Sequence, residues 1–117
     1  MRILISYVDR YHVYSDVMES ALRGLCPRAE VAACRLGEIG EQVESFDPHL
    51  MVSSRPNTVD TGGRLAWYEL SPEPSEPSET CLQGRRSRRP NPRLEELISF
   101  VDEVETLVRS GRELGGC

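Results

Sequence analysis

The stretch that decides the fold runs from residue 30 to residue 52: Glu30-Val31-Ala32-Ala33-Cys34-Arg35, then Leu36 through Phe46, then Asp47-Pro48-His49-Leu50-Met51-Val52. The first part is a brief run of small apolar residues, too short for a helix, and reads as a strand. The middle part places Leu36, Ile39, Val43 and Phe46 at three- and four-residue intervals, as one face of a helix requires. Asp47-Pro48 breaks that helix, and Leu50-Met51-Val52 resumes as a strand. A strand, a helix and a strand joined this closely predict a right-handed crossover between parallel strands.

The residues upstream repeat the unit. Ile3, Leu4, Ile5 and Val8 form an apolar, partly β-branched run that suits a strand buried on both faces. Ser15 is expected to cap a helix in which Val17, Met18, Ala21, Leu22 and Leu25 recur at helical spacing, with Pro27 ending it. The chain thus begins β-α-β-α-β.

Downstream the alternation changes. Only a polar loop, residues 53 to 64, separates the third strand from Leu65-Ala66-Trp67-Tyr68-Glu69-Leu70, and no helix fits within it. Residues 71 to 79, Ser-Pro-Glu-Pro-Ser-Glu-Pro-Ser-Glu, predict a mobile extended link. Thr80-Cys81-Leu82-Gln83 reads as a short edge strand, and the short link before it makes it a candidate for antiparallel pairing with the strand around Trp67, parallel pairing staying open. Asn91 and Pro92 suit the cap and first position of a last helix, with Glu95 and Glu96 near its positive end. Leu94, Leu97, Ile98, Val101, Val104, Leu107 and Val108 form its apolar stripe, and residues 111 to 117 are expected to be a disordered tail.

A length of 117 residues suits one domain, expected over residues 1 to 110. The formal charge of -5 argues against a general attraction to nucleic acid or to an anionic membrane. Every basic side chain apart from the two histidines is Arg, so Schiff-base lysines and the phosphate-binding lysine of a P-loop are excluded. Cys26, Cys34, Cys81 and Cys117 show no C-x-x-C spacing, and they are expected to be reduced thiols, the first three packed as small apolar groups. No leader or membrane-spanning segment is apparent, so the chain is expected to be cytoplasmic. No cofactor is implied.

Three local features resemble the receiver domain of bacterial response regulators. They are Arg2-Ile3-Leu4-Ile5, the approach Asp47-Pro48-His49-Leu50-Met51-Val52, and the turn Arg89-Pro90-Asn91-Pro92 leading into Leu94-Glu95-Glu96-Leu97. The resemblance implies a small three-layer, receiver-like or flavodoxin-like α/β sandwich. Its mostly parallel sheet would have about five strands in the order 2-1-3-4-5, the last strand being a candidate for antiparallel pairing. The family's chemistry needs an acidic pair after the first strand, an acceptor aspartate ending the third, and a lysine. Tyr7 and Val8 stand about where the pair would be, with Asp9 just beyond, so a hard cation lacks its usual paired carboxylates. Ser53 or Ser54 stands near the acceptor position, Arg89 near the lysine, and Ser71 near the family's switch hydroxyl. The resemblance therefore implies a degenerate receiver that signals by contact and is not phosphorylated in the usual way.

Ligands in open parallel sheets gather beyond the carboxyl ends of the strands. That rule selects the loops after the first and third strands, with Asp9, His12, Ser53, Ser54, Arg55, Asn57, Thr58 and Asp60 as candidates for holding a small anion or nucleotide. The competing description is a hydrated loop held by its own turns, favoured because no phosphate-binding glycine pattern is present. A hydrolytic trio of Ser54, His12 and Asp9 lacks a nucleophile elbow. Arg85, Arg86, Arg88 and Arg89 form the positive cluster, suited to an anion or an acidic partner, although a solvated loop is the simpler description. An unprotected edge strand would also favour a homodimer.

Overall fold

The computed structural model describes residues 1–7, 12–54, 65–70, 77–89 and 94–114. Its elements in chain order are β1 (Arg2–Tyr7), α1 (His12–Leu25), β2 (Glu30–Arg35), a 3-10 turn (Leu36–Glu38) and α2 (Ile39–Phe46). There follow β3 (Leu50–Ser53), β4 (Ala66–Glu69), β5 (Ser78–Leu82), β6 (Arg85–Arg89) and α3 (Leu94–Arg109). The strands form one mixed sheet in the order β2-β1-β3-β4-β5-β6. β1 to β4 run parallel, while β5 and β6 are antiparallel to their neighbours.

The order explains the apolar runs. β1 and β3 lie inside the sheet with both faces covered, and Ile3, Leu4, Ile5, Leu50, Met51 and Val52 are all fully buried. β2 is an outer strand, and of its side chains only Val31 is buried. On one face Ile3, Ile5, Tyr7, Leu50, Val52, Tyr68 and Leu82 pack with Met18 and Leu22 of α1 and with Leu97, Phe100, Val101 and Val104 of α3. On the other face Leu4, Met51, Trp67 and Cys81 pack with Ile39 and Val43 of α2. Two helices on one side and one on the other give three layers.

Helix α2 ends as its sequence requires. Asp47 takes a left-handed conformation (φ 51°), and its N–H donates to the carbonyl of Val43 at 3.2 Å. Arg2 reinforces the stop, its Nε donating to the Asp47 carbonyl at 2.7 Å.

Several expectations need correction. The sheet has six strands, not about five, because the arginine cluster is a strand and not a solvated loop. Gln83 and Gly84 both take positive φ (53° and 81°), the two-residue turn that matches the twist of a tight hairpin, and Arg85–Arg89 pairs back onto β5. The segment around Thr80 is consequently internal and not an edge, and of the two directions left open it takes the antiparallel one against β4, with Cys81 opposite Trp67. The polar link stops short of Ser78, which opens β5 and is buried. Ser15 lies within α1, which starts at His12, so it is not the cap; it is buried, whereas Val17 and Leu25 are exposed. Phe100 joins the α3 stripe, and Leu94 is exposed.

The chain after α3 also returns to the domain. Gln83 N–H donates to the carbonyl of Leu114 at 2.8 Å, and the Leu114 side chain is buried in the core. Among the described cysteines, Cys26 and Cys34 are free, but Cys81 is disulfide-bonded and not the reduced thiol expected. Linear spacing carries no trace of such a pairing. Asn91, Pro92 and most of the link between 71 and 79 also lie outside the described residues.

Candidate functional site

The register aligns a row of polar side chains across the sheet near the carboxyl ends of its parallel strands. Ser6 is level with Cys34 on one side and with Ser53 on the other, and Ser53 is level with Glu69. Side chains alternate along a strand, and Leu4, Met51 and Trp67 face α2, so Ser6, Ser53 and Glu69, each two residues further on, share that face. The row continues through Glu79 of β5 to Arg88 of β6, which are paired in register. Ser6 and Ser53 are fully buried.

Main-chain bonds hold this rim together. Ser54 N–H donates to the Ser6 carbonyl at 3.2 Å, and Leu70 N–H donates to the Ser53 carbonyl at 2.7 Å. The Glu69 carboxylate is occupied by the N–H of Glu79 at 2.8 Å, which ties the start of β5 to the end of β4. On the opposite face the Tyr7 hydroxyl donates to the Leu70 carbonyl at 3.3 Å, in a buried contact that reaches past β3. Among the described residues the hydroxyls of Ser6 and Ser54 are buried without a partner of full hydrogen-bonding geometry. Ser6 does lie near enough to the Cys34 thiol to favour its ionisation, against the larger opposing effect of burial. Sulfur is a weak partner, so that contact is a poor substitute for a full bond.

Of the residues predicted for the rim, Ser53 and Ser54 are brought beside Ser6. Asp9, Arg55, Asn57, Thr58 and Asp60 lie outside the described residues, as does Ser71, and His12 is placed only as the first residue of α1. Arg88 stands at the far end of this row, while Arg85, Arg86 and Arg89 lie off it, and β4 and β5 separate all four from the serines of β1 and β3. The sequence reading missed Ser6, Cys34 and Glu69. A period-two count from Leu4, Met51 and Trp67 would have placed Ser6, Ser53 and Glu69 on one face.

The surroundings of the free cysteines among the described residues do not favour covalent chemistry. Burial, more than any nearby charge, pushes the Cys34 thiol up, with Glu38 adding to it. Cys26 is also raised, by burial and then by Asp102 and Glu105. Both are poor nucleophiles near neutrality. Beside Cys34, a shallow groove of about 560 Å³ is lined by Tyr7, Ser15, Asp16, Arg35 and Glu38 among others. His49 sits at the other end of the sheet, where its Nδ1 accepts the Arg2 N–H at 2.9 Å, a structural bond.

Among the described residues no three His, Cys, Asp or Glu side chains cluster as a metal site would require, and no helix is long and apolar enough to cross a membrane. The chain matches no known family model, no curated protein and no solved structure.

Proposed function

We propose that this chain is a non-catalytic, receiver-like regulatory domain of the cytoplasm, which works through protein contact and not through phosphoryl transfer. The observation that carries this reading is the rim itself. Tyr7 stands where the resemblance asks for a metal-holding acid, and its hydroxyl is committed to the Leu70 carbonyl. Ser53 and Ser54 stand where it asks for an acceptor aspartate, and no lysine exists anywhere in the chain. A serine without an adjacent base is a weak nucleophile, and it cannot form an acyl phosphate. The strand order through β5 and the division of the helices between the two faces support the likeness.

Incubation with acetyl phosphate and magnesium, followed by intact mass measurement, tests the reading. An unchanged mass is expected, and a stoichiometric phosphoryl adduct overturns it.

A second reading, a site for a small anion or nucleotide, rests on the buried hydroxyls of Ser6, met only by the Cys34 thiol, and of Ser54, which has no partner among the described residues. Buried hydroxyls usually find a partner in protein, water or ligand. Thermal unfolding with a panel of nucleotides, sugars and phosphates separates the two, because a specific ligand raises the midpoint by mass action.

A further inference from the structure

We propose that the outer edge of β6 is a docking strand for an acidic, extended segment of a partner protein, added antiparallel to the sheet. The inference rests on the reading of this domain as one that acts by contact, and it names the chemistry of the contact. Three features carry it: the place of β6 at the end of the sheet among the described residues, the direction of its backbone groups that the hairpin register implies, and the charge along it.

Among the described residues β6 is the last strand of the sheet, with β5 on its inner side. The two-residue turn at Gln83-Gly84 makes Leu82 and Arg85 the closing, hydrogen-bonded pair of the hairpin. Hydrogen bonding alternates along such a ladder, so Arg85 and Ser87 turn their N–H and C=O groups inward to β5. Arg86 and Arg88 turn theirs outward. An incoming strand would therefore bond to Arg86 and Arg88 and would leave the backbone of Ser87 undisturbed.

The same alternation fixes the side chains. Arg86 is level with Cys81, whose side chain packs on the α2 face, so Arg86 and Arg88 share that face. Arg85 and Ser87 face the other way, lining a small cavity with Phe100 of α3. Arg86 is held by Glu79, Nη1 to Oε1 at 2.6 Å, and remains half exposed. Arg88, also exposed, stands one pleat further along. Partner residues directly opposite Arg86 and Arg88 would point to the same face, two positions apart. The complementary segment thus carries acidic side chains at positions i and i+2.

Charge also selects against self-association through this edge. A second β6 paired antiparallel would bring Arg86 and Arg88 opposite arginines, which is unfavourable. In a chain of net charge -5 the cluster is a local positive feature, which Glu79 meets from inside at Arg86 and which leaves its outer side suited to an acidic partner.

The test uses the full chain and short synthetic peptides of alternating Glu and Val, read by fluorescence anisotropy at low and high salt. The Glu peptide is expected to bind, and a Lys-Val peptide is not. N-methylation of the residues that face β6 should abolish binding, whereas N-methylation of the intervening residues should preserve it. Arg88→Glu should weaken binding by about tenfold or more, with Arg88→Gln intermediate, and unchanged melting midpoints would show that the fold is intact. Equal binding of both N-methylated peptides, or equal binding of a single-stranded oligonucleotide of the same charge, overturns the proposal. So does a dimer in light scattering that Arg88→Glu dissociates, because the edge would then be covered by a second copy. A negative result here leaves the acetyl phosphate outcome unaffected, so this inference and the broader reading fail separately.

Discussion

The hydroxyl of Tyr7, at the end of β1, donates to the carbonyl of Leu70, just past the end of β4, across 3.3 Å and over the intervening β3. It ties two strands that are not neighbours, and it closes the face packed against α1 and α3. Tyr7→Phe keeps the ring and removes the donor, leaving a buried carbonyl without this bond. The expected cost is about 1 kcal/mol of stability, measured as a lower urea midpoint with an unchanged slope.

Tyr68 and Phe100 meet edge to face with ring centroids 5.1 Å apart, joining β4 to α3. Phe100→Ala removes that contact and opens a cavity, which should cost about 3–5 kcal/mol. Such a loss is a large share of a small domain's total stability. Val17, 62% exposed on α1, gives the contrast. Val17→Thr should change stability by less than about 0.5 kcal/mol in the same denaturation series.

His49 supplies a pH dependence whose sign is fixed by its surroundings. Burial lowers its pKa from the ordinary 6.5, with the charges of Arg2 and the amino terminus adding and Asp47 opposing. The unfolded chain therefore takes up the proton first as acid is added. This contribution to stability is complete above the unfolded value and is lost as the pH falls through the lower folded value. His49→Asn can still accept the Arg2 N–H but does not titrate, and its stability should vary less between about pH 7 and 5. An equal slope in the two proteins would sink this assignment.

Cysteine labelling distinguishes the thiols. In denaturant without reductant, an alkylating reagent should modify Cys26 and Cys34 and leave Cys81 untouched until reductant is added. Peptide mass mapping reads this directly. Labelling of Cys81 without reduction would contradict its disulfide.

Much of the α/β layering was legible because two signals agreed. Ile3 to Ile5 and Leu50 to Val52 are continuous apolar runs, as interior parallel strands require, and Ile39 and Val43 keep helical spacing against them. The second half was harder for particular reasons. Arg85-Arg86-Ser87-Arg88-Arg89 has no apolar face, because an edge strand can fold with its side chains in water. The turn that sets it, Gln83-Gly84, departs from the common Asn-Gly signal. Leu114 was hidden by its glycine-rich surroundings, although an isolated leucine near a chain end is a natural anchor. At the rim, Ser53 and Ser54 were found through the end-of-strand rule. Ser6 was missed because a serine following an apolar strand reads as the start of a loop.

The bond from Gln83 to Leu114 has a mechanical consequence. It clips the far end of α3 to the tip of the β5–β6 hairpin, while Phe100 and Val101 grip the sheet midway along the helix. α3 is thus pinned in the middle and beyond its end, and it cannot peel away without dragging the hairpin tip or tearing out Leu114. The helix and the hairpin should open as one unit in native-state hydrogen exchange, their slowest amides sharing one opening free energy. Any pull transmitted through a ligand on β6 would then be felt along the length of α3.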